Sequence, residues 1–168
     1  MKISTLLAAT LLLSPMAYAE SSCETYSKLT ENQRHNIRLS VNRGIGDDLG
    51  LTLAAIALTE SSAGLQRVNR KSKDYGLYQL NIKTAKSIMG IENKYLGYLL
   101  AMKLTFDDEL NAKYALTVLR HFNKVHKGDW AKMIQSYNAG NRYWNGKGYL
   151  QKVKANVKLI KQCINKEI

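Results

Sequence analysis

Leu49-Gly50-Leu51-Thr52-Leu53-Ala54-Ala55-Ile56-Ala57-Leu58-Thr59-Glu60-Ser61 is the stretch that decides the fold. Wound as a helix it is apolar on nearly every side, so it belongs inside a core. Asp47 or Asp48 stands where a cap is expected, and the run leaves through Ser62-Ala63-Gly64. The segments around it read as further helices. Glu60 is the anomaly, a carboxylate at the end of the most apolar helix. Burial disfavours its charged form and raises its pKa. A carboxyl held neutral near working pH can protonate a leaving oxygen. A glutamate just past the buried part and facing water is the plain alternative.

Upstream, Thr30-Glu31-Asn32-Gln33 has capping-box form. A helix is expected from there to about Arg43, stopped by Gly44 and Gly46. Downstream, Leu65 to Tyr75 is polar and basic without helical period, and reads as a loop or small hairpin. Asn81 starts a helix that ends at Met89-Gly90, and Asn93 to Lys103 forms another. Thr105, with Asp107, Asp108 and Glu109, marks the next start, favoured by the helix dipole. Leu110, Tyr114, Val118 and Phe122 keep helical spacing towards Gly128. Asp129 caps Trp130 to Tyr137, and Gly140, Gly146 and Gly148 break the chain. The last helix, Tyr149 to about Asn165, sets Val153, Val157, Ile160 and Ile164 on one face against a lysine-rich face. The fold class is all-α, with at most a tiny β-hairpin.

The chain has 168 residues and is 45% hydrophobic, enough for one domain with a real core. Lys2, the apolar run Ile3 to Leu13 and Ala17-Tyr18-Ala19 have the form of a signal peptide. Residues 1–19 are expected to be removed, and 20–168 to form the single mature domain. The apolar run is too short for a transmembrane span, which needs about 20 residues. No cysteine follows the expected cut to carry a lipid, and the one proline, Pro15, lies in the leader. Cys23 and Cys163 stand near the two ends of the mature chain; an even count in an exported protein suggests a disulfide. Two unrelated buried thiols are the alternative. His35, His121 and His126 show no ligand spacing with them, so no metal is expected. The net charge of +12 implies a polyanionic partner or surface to bind, whether nucleic acid, anionic lipid or cell wall; a solvated basic face that only aids solubility is the alternative. Export argues against nucleic acid. The basic loop and the last helix would hold the chain near anionic wall polymer or membrane.

Two further segments carry chemistry. Gly76-Leu77-Tyr78-Gln79-Leu80-Asn81 is a glycine turn followed by alternating apolar and amide residues. Tyr137-Asn138-Ala139-Gly140 sets an aromatic and an amide at a helix end. Aromatic rings stack on sugar faces, and amides bond to hydroxyl and N-acetyl groups. Taken alone, Gln79 could satisfy loop backbone and Tyr137 could be core.

Glu60-Ser61, Gly76-Leu77-Tyr78-Gln79, Tyr137-Asn138-Ala139-Gly140 and Tyr149-Leu150-x-x-Val153 stand in the order found in soluble lytic transglycosylases. Over about Leu49 to Val153 the chain resembles their small single-domain members, associated with secretion systems, pili or phage. The resemblance implies a lysozyme-like fold with a sugar-binding groove and no cofactor. It implies that Glu60 protonates the glycosidic oxygen between N-acetylmuramic acid and N-acetylglucosamine. The carboxylate then takes the proton of the muramoyl C6 hydroxyl, which attacks C1 and leaves a 1,6-anhydro end. By the same resemblance Gln79 and Asn138 line the groove, Tyr149 lies near the acid, and Ser61 braces the helix end. The family's loop serine corresponds loosely to Ser72. Tyr143-Trp144 adds a sugar platform or packs.

Three rival readings stand beside this. Ser72-Lys73-Asp74-Tyr75-Gly76 also resembles the sheet strand of animal-type lysozymes. Glu60 and Asp74 could then form the pair, about 5 Å apart, of a retaining hydrolase. A non-catalytic wall-binding assembly module would keep the groove and lose turnover, and a nucleic-acid binder would show steep salt dependence. The expected partner is peptidoglycan, with a secretion, pilus or conjugation machine as a setting. The expected location is the periplasm, or outside the cell after release, and the expected state a monomer.

Overall fold

The computed structural model describes residues 23–166, with the side chains of 23–165. The leader expectation lies outside the described residues. Residues 23–27 are helical. Helix α1 (Glu31–Gly44) starts at the expected capping box. Thr30 Oγ1 accepts from the Gln33 amide at 3.3 Å, and the Thr30 amide donates to Gln33 Oε1 at 2.8 Å.

Helix α2 (Gly50–Ser61) is the apolar stretch. Its residues Leu53 to Ala57 have no exposed surface, as all-round apolarity requires. Neither expected aspartate caps it. Asp47 closes a 3-10 turn over Ile45–Asp47 and is drawn to Arg120, and Asp48 takes a left-handed φ of 56°. Leu49 precedes the helix with no side-chain cap.

Gly44 does more than end α1. A Cβ there would stand 2.6 Å from the Gly50 nitrogen, and one on Gly50 would stand 2.5 Å from the Val41 oxygen. The two glycines let α1 and α2 pass backbone against backbone. Helix α7 (Lys147–Cys163) covers another side of α2 with Leu150, Val153 and Ile160 buried. Gly148, expected to break the chain, lies inside its first turn. The expected apolar face is otherwise present, with Val157 and Ile164 half-buried.

The basic loop holds more strand than expected. Strands β1 (Val68–Asn69), β2 (Asp74–Tyr75) and β3 (Leu80–Asn81) form one antiparallel sheet in that order. Tyr75 faces Val68 on one side and Leu80 on the other. Asn81 then caps α3 (Ile82–Met89), and Asn93 caps α4 (Lys94–Phe106). Asp107 alone caps α5 (Asp108–Val125), accepting from the Leu110 amide at 2.9 Å. Thr105 belongs to the preceding helix, its hydroxyl turned back to the Ala101 carbonyl. Asp129 caps α6 (Trp130–Ala139), and a 3-10 turn at Tyr143–Gly146 leads into α7.

Cys23 and Cys163 are joined by a disulfide, Cα to Cα 5.3 Å. The fold is mainly α with a minute sheet. Among the described residues, no helix is long and apolar enough to cross a membrane.

Candidate active site

Helix α2 delivers Glu60 on its last turn, and the exit from that turn is unusual. Ser62 and Ala63 both take φ of 51°, a region that side-chain-bearing residues enter at a cost. Two amides from α1 hold them there. Gln33 Nε2 donates to the Ser62 carbonyl and Asn36 Nδ2 to the Ala63 carbonyl, each at 2.9 Å. Ser61 has the bracing role that the resemblance gives it. Its hydroxyl donates to the Leu77 carbonyl at 2.6 Å and accepts from the Gly64 amide at 2.9 Å. The end of α2 is thereby fastened to the turn at 76–79.

That turn is fixed from below by Asn111, which is fully buried on α5. Asn111 Oδ1 accepts from the Tyr78 amide at 2.8 Å, and its Nδ2 donates to the Tyr75 carbonyl at 2.9 Å. Gly76 has φ of 83°, and a Cβ there would meet the Leu104 oxygen at 2.1 Å and Asn111 Nδ2 at 2.3 Å. Leu77 and Tyr78 point into the core, where the Tyr78 hydroxyl pairs with Ser40 Oγ at 2.8 Å. Gln79, at φ 46°, turns the other way.

These elements surround a cleft of about 380 Å³. Of the residues singled out in the sequence, Glu60, Asp74, Gln79, Tyr137 and Asn138 line it together. Gln79 Nε2 donates to the Gly76 carbonyl at 2.9 Å and to the Gln66 carbonyl at 3.2 Å. Its carbonyl oxygen is left to accept from a ligand. The Tyr137 hydroxyl donates to the Tyr78 carbonyl at 2.9 Å, so the ring is held rigidly at the cleft wall. Asn138 is exposed at the end of α6. Asp74 Oδ1 accepts from Asn81 Nδ2 at 2.8 Å.

The Glu60 carboxyl has its pKa pushed up to about 7. Burial is the main cause, and the negative Asp74 adds to it. The Tyr149 hydroxyl opposes both by favouring the charged form. That hydroxyl is buried and makes no well-aligned hydrogen bond, so its contact with Glu60 is a loose one. Tyr149 stands behind the carboxyl and does not line the cleft. Ser72 lies outside as well, exposed on the turn between β1 and β2, where its carbonyl accepts from Asn81 Nδ2 at 2.9 Å. Trp144 is exposed and Tyr143 packs edge-on against it and against His126, and neither is among the lining residues.

The cleft also uses residues that the sequence did not mark as site residues. Val118 and Phe122 supply an apolar wall from α5, and Asn81 and Thr84 supply polar groups opposite. Ser136 lines the floor, its Oγ 2.7 Å from His126 Nε2. Phe122 was visible only as the last member of a core-type stripe. Among the described residues, no three His, Cys, Asp or Glu side chains come together as metal ligands would.

The arrangement is one raised carboxyl, a second carboxylate, three amides and an aromatic wall around a polar cleft. It suits proton transfer to a bound polyhydroxylated chain. A relative from Enterobacteria phage T4, an uncharacterized 20.7 kDa protein of the vs-regB intergenic region, is 35% identical over 144 residues. The match covers 80% of this chain and 70% of that protein. No solved structure matches the chain. A family model, the transglycosylase SLT domain, matches residues 49–159, from the start of the core helix into α7. This chain therefore belongs to the transglycosylase SLT domain family.

Proposed function

We propose that the protein is a peptidoglycan lytic transglycosylase in which Glu60 acts first as acid and then as base. The observation that carries this reading is a glutamate raised to about pH 7 in the wall of the cleft. A carboxyl poised there gives up and regains a proton at small cost near neutrality. In the first step Glu60 protonates the oxygen of the MurNAc–GlcNAc bond, and the C1–O bond breaks. In the second the Glu60 carboxylate accepts the C6 hydroxyl proton while that oxygen bonds to C1. Glu60 is then protonated again, and no water has been consumed. Tyr149 favours the carboxylate that exists between the two steps. Gln79, Asn138 and Tyr137 hold the glycan against the acid. A wall substrate agrees with an extracytoplasmic site, the leader expected over 1–19 and the disulfide.

One observation supports a second reading. Asp74 lines the same cleft and acts electrostatically on Glu60. In a retaining muramidase it would attack C1 as the nucleophile. Its bond to Asn81 restrains it, and in the transglycosylase it stabilises positive charge at C1 instead.

The deciding measurement is mass spectrometry of soluble muropeptides from digested peptidoglycan, with Glu60→Gln alongside. Anhydro-muramoyl ends lost in the variant are expected. Products one water heavier would make the protein a hydrolase with Asp74 as nucleophile. No products from the parent chain would leave a wall-binding module.

A further inference from the structure

Helix α4 buries one face and leaves an equally apolar one uncovered. Gly97, Leu100, Ala101 and Leu104 face the core. Tyr95, Tyr98, Leu99, Met102 and Phe106 share the opposite face, since Tyr98 and Leu99 each lie three or four residues from Tyr95 and from Met102, and Phe106 lies four beyond Met102. They are 79%, 61%, 55%, 60% and 80% exposed. Patches of this kind on a small chain mark a surface that meets something apolar.

The surroundings of the face say what that is. Beside it runs a groove of about 310 Å³ shared by α3, α4 and β2, with Lys73, Lys83, Lys86 and Lys94 around it and Tyr98 at its edge. None of these four lysines is in an ion pair among the described residues. Lys103 adds a fifth positive charge on α4 itself, and neither α3 nor α4 contains an acidic residue. The acids that adjoin this surface lie at its margins and are mostly engaged: Asp74 after Lys73 accepts from Asn81, Asp107 after Phe106 caps α5, Asp108 and Glu109 pair with Arg67 and Arg43, and Glu92 stands in the short connection between the two helices. Lys86 Nζ donates to the Glu92 carbonyl at 3.1 Å, a neutral partner that leaves its charge uncompensated. Tyr, Leu, Met and Phe flanked by lysines outside ion pairs is the composition of a helix that lies in a lipid–water interface. The rings enter the headgroup layer and the lysines reach its phosphates. A wall glycan offers anionic groups but nothing apolar to cover Leu99, Met102 and Phe106.

We propose that the exposed face of α4, with its lysine groove, docks the enzyme on the surface of an anionic phospholipid bilayer. This surface is separate from the catalytic cleft and does not rest on the reading of Glu60. It would hold the enzyme at the membrane side of the wall while the cleft stays open to glycan.

The test is flotation with vesicles, using a chain that begins at Glu20. That chain keeps every described residue and lacks the apolar run at 3–13, which would itself enter lipid. Vesicles of phosphatidylglycerol with phosphatidylcholine are compared with phosphatidylcholine alone. The chain is expected to float with the first and not the second. Leu99→Glu with Met102→Glu, both at exposed positions, should weaken binding by tenfold or more, on the order expected for two side chains leaving the interface. Lys83→Ala, Lys86→Ala and Lys94→Ala together should weaken it by roughly a hundredfold at low salt. Both variants should digest soluble peptidoglycan fragments like the parent, and Glu60→Gln should float like the parent. Binding untouched by the Leu99 and Met102 changes would overturn the proposal and leave simple charge attraction. So would a chain that ignores both vesicles, whether it sediments as a monomer or as a dimer that those changes dissolve.

Discussion

Glu60 sits where folding and chemistry pull in opposite directions, and pH separates them. In an unfolded chain its carboxyl titrates at the ordinary value of 4.5; in the folded chain it titrates at about 7. Between those values the folded state binds the proton more tightly, so stability falls as pH rises through the interval. The penalty is complete above pH 7 and absent below about 4.5, and the shift bounds it at roughly 3 kcal/mol. Glu60→Gln removes the charge and keeps the shape. It should abolish turnover while melting several degrees above the parent at pH 8, a difference that closes at pH 4. Melting curves at the two pH values check this, and equal shifts at both would mean that the carboxyl is not buried as described. Activity of the parent should fall as pH rises through about 7, because the first step needs the protonated acid. Tyr149→Phe tests the opposing influence. Without the hydroxyl the Glu60 pKa rises further, so the alkaline limb of the kcat/KM profile should move to higher pH. Stability should change by less than about 1 kcal/mol, since the hydroxyl makes no well-aligned bond to lose.

The turn at 76–79 is the element on which the cleft depends, and it hangs on Asn111. Asn111→Leu would leave the buried Tyr78 amide without its partner and take one of the bonds of the Tyr75 carbonyl, which keeps its place in the β2–β3 ladder. A loss of about 1–3 kcal/mol is expected for one such orphaned group. Gly76→Ala should be at least as damaging, because the backbone of α4 stands where the methyl would go. Urea titrations measure both, and a change under 1 kcal/mol for Gly76→Ala would contradict the close approach. These dependencies show what could be read from the sequence. Caps at Thr30, Asn81 and Asp129 were legible because each acts within three residues of itself. The motif residues Glu60, Gln79, Tyr137 and Asn138 were legible as a set, through their order along the chain. The partners that seat them were not. Asp47 would cap α2 on local grounds, but Arg120, seventy-three residues away, takes its carboxylate. Gly44 looked like a stop signal, and its reason is the backbone of Gly50. Phe122 and Ser136 join the cleft only when α5 and α6 pack together, and no local pattern announces that. Neither did the apolar spacing of α4 reveal that only half of it would be covered.

At the scale of the whole molecule, the disulfide determines how firmly α7 stays on α2. Cys163 is buried at the end of α7, and Cys23 belongs to the helical turn before α1, which packs against α2. The bond closes a loop over a sequence separation of 140 residues. In the chain-entropy model a loop of that length restricts the unfolded chain by about 5 kcal/mol, with engineered examples often giving less. The packing of Val153 and Ile160 in the core, and of Tyr149 against it, does not run through the bond. Reduction, or Cys23→Ala with Cys163→Ala, should therefore act on stability and leave the cleft intact. The melting temperature should drop by about 10 °C or more, given the few degrees per kcal/mol usual at this size. Muropeptide release at 25 °C should stay within about twofold, because a folded chain that loses even 5 kcal/mol can remain mostly folded. A calorimetric scan with and without reductant, read beside a digestion assay on the same samples, makes the separation visible. An unchanged melting point would mean that the thiols are not joined. A parallel loss of activity in protein that is still folded would mean that the bond, and not packing alone, keeps Tyr149 behind Glu60.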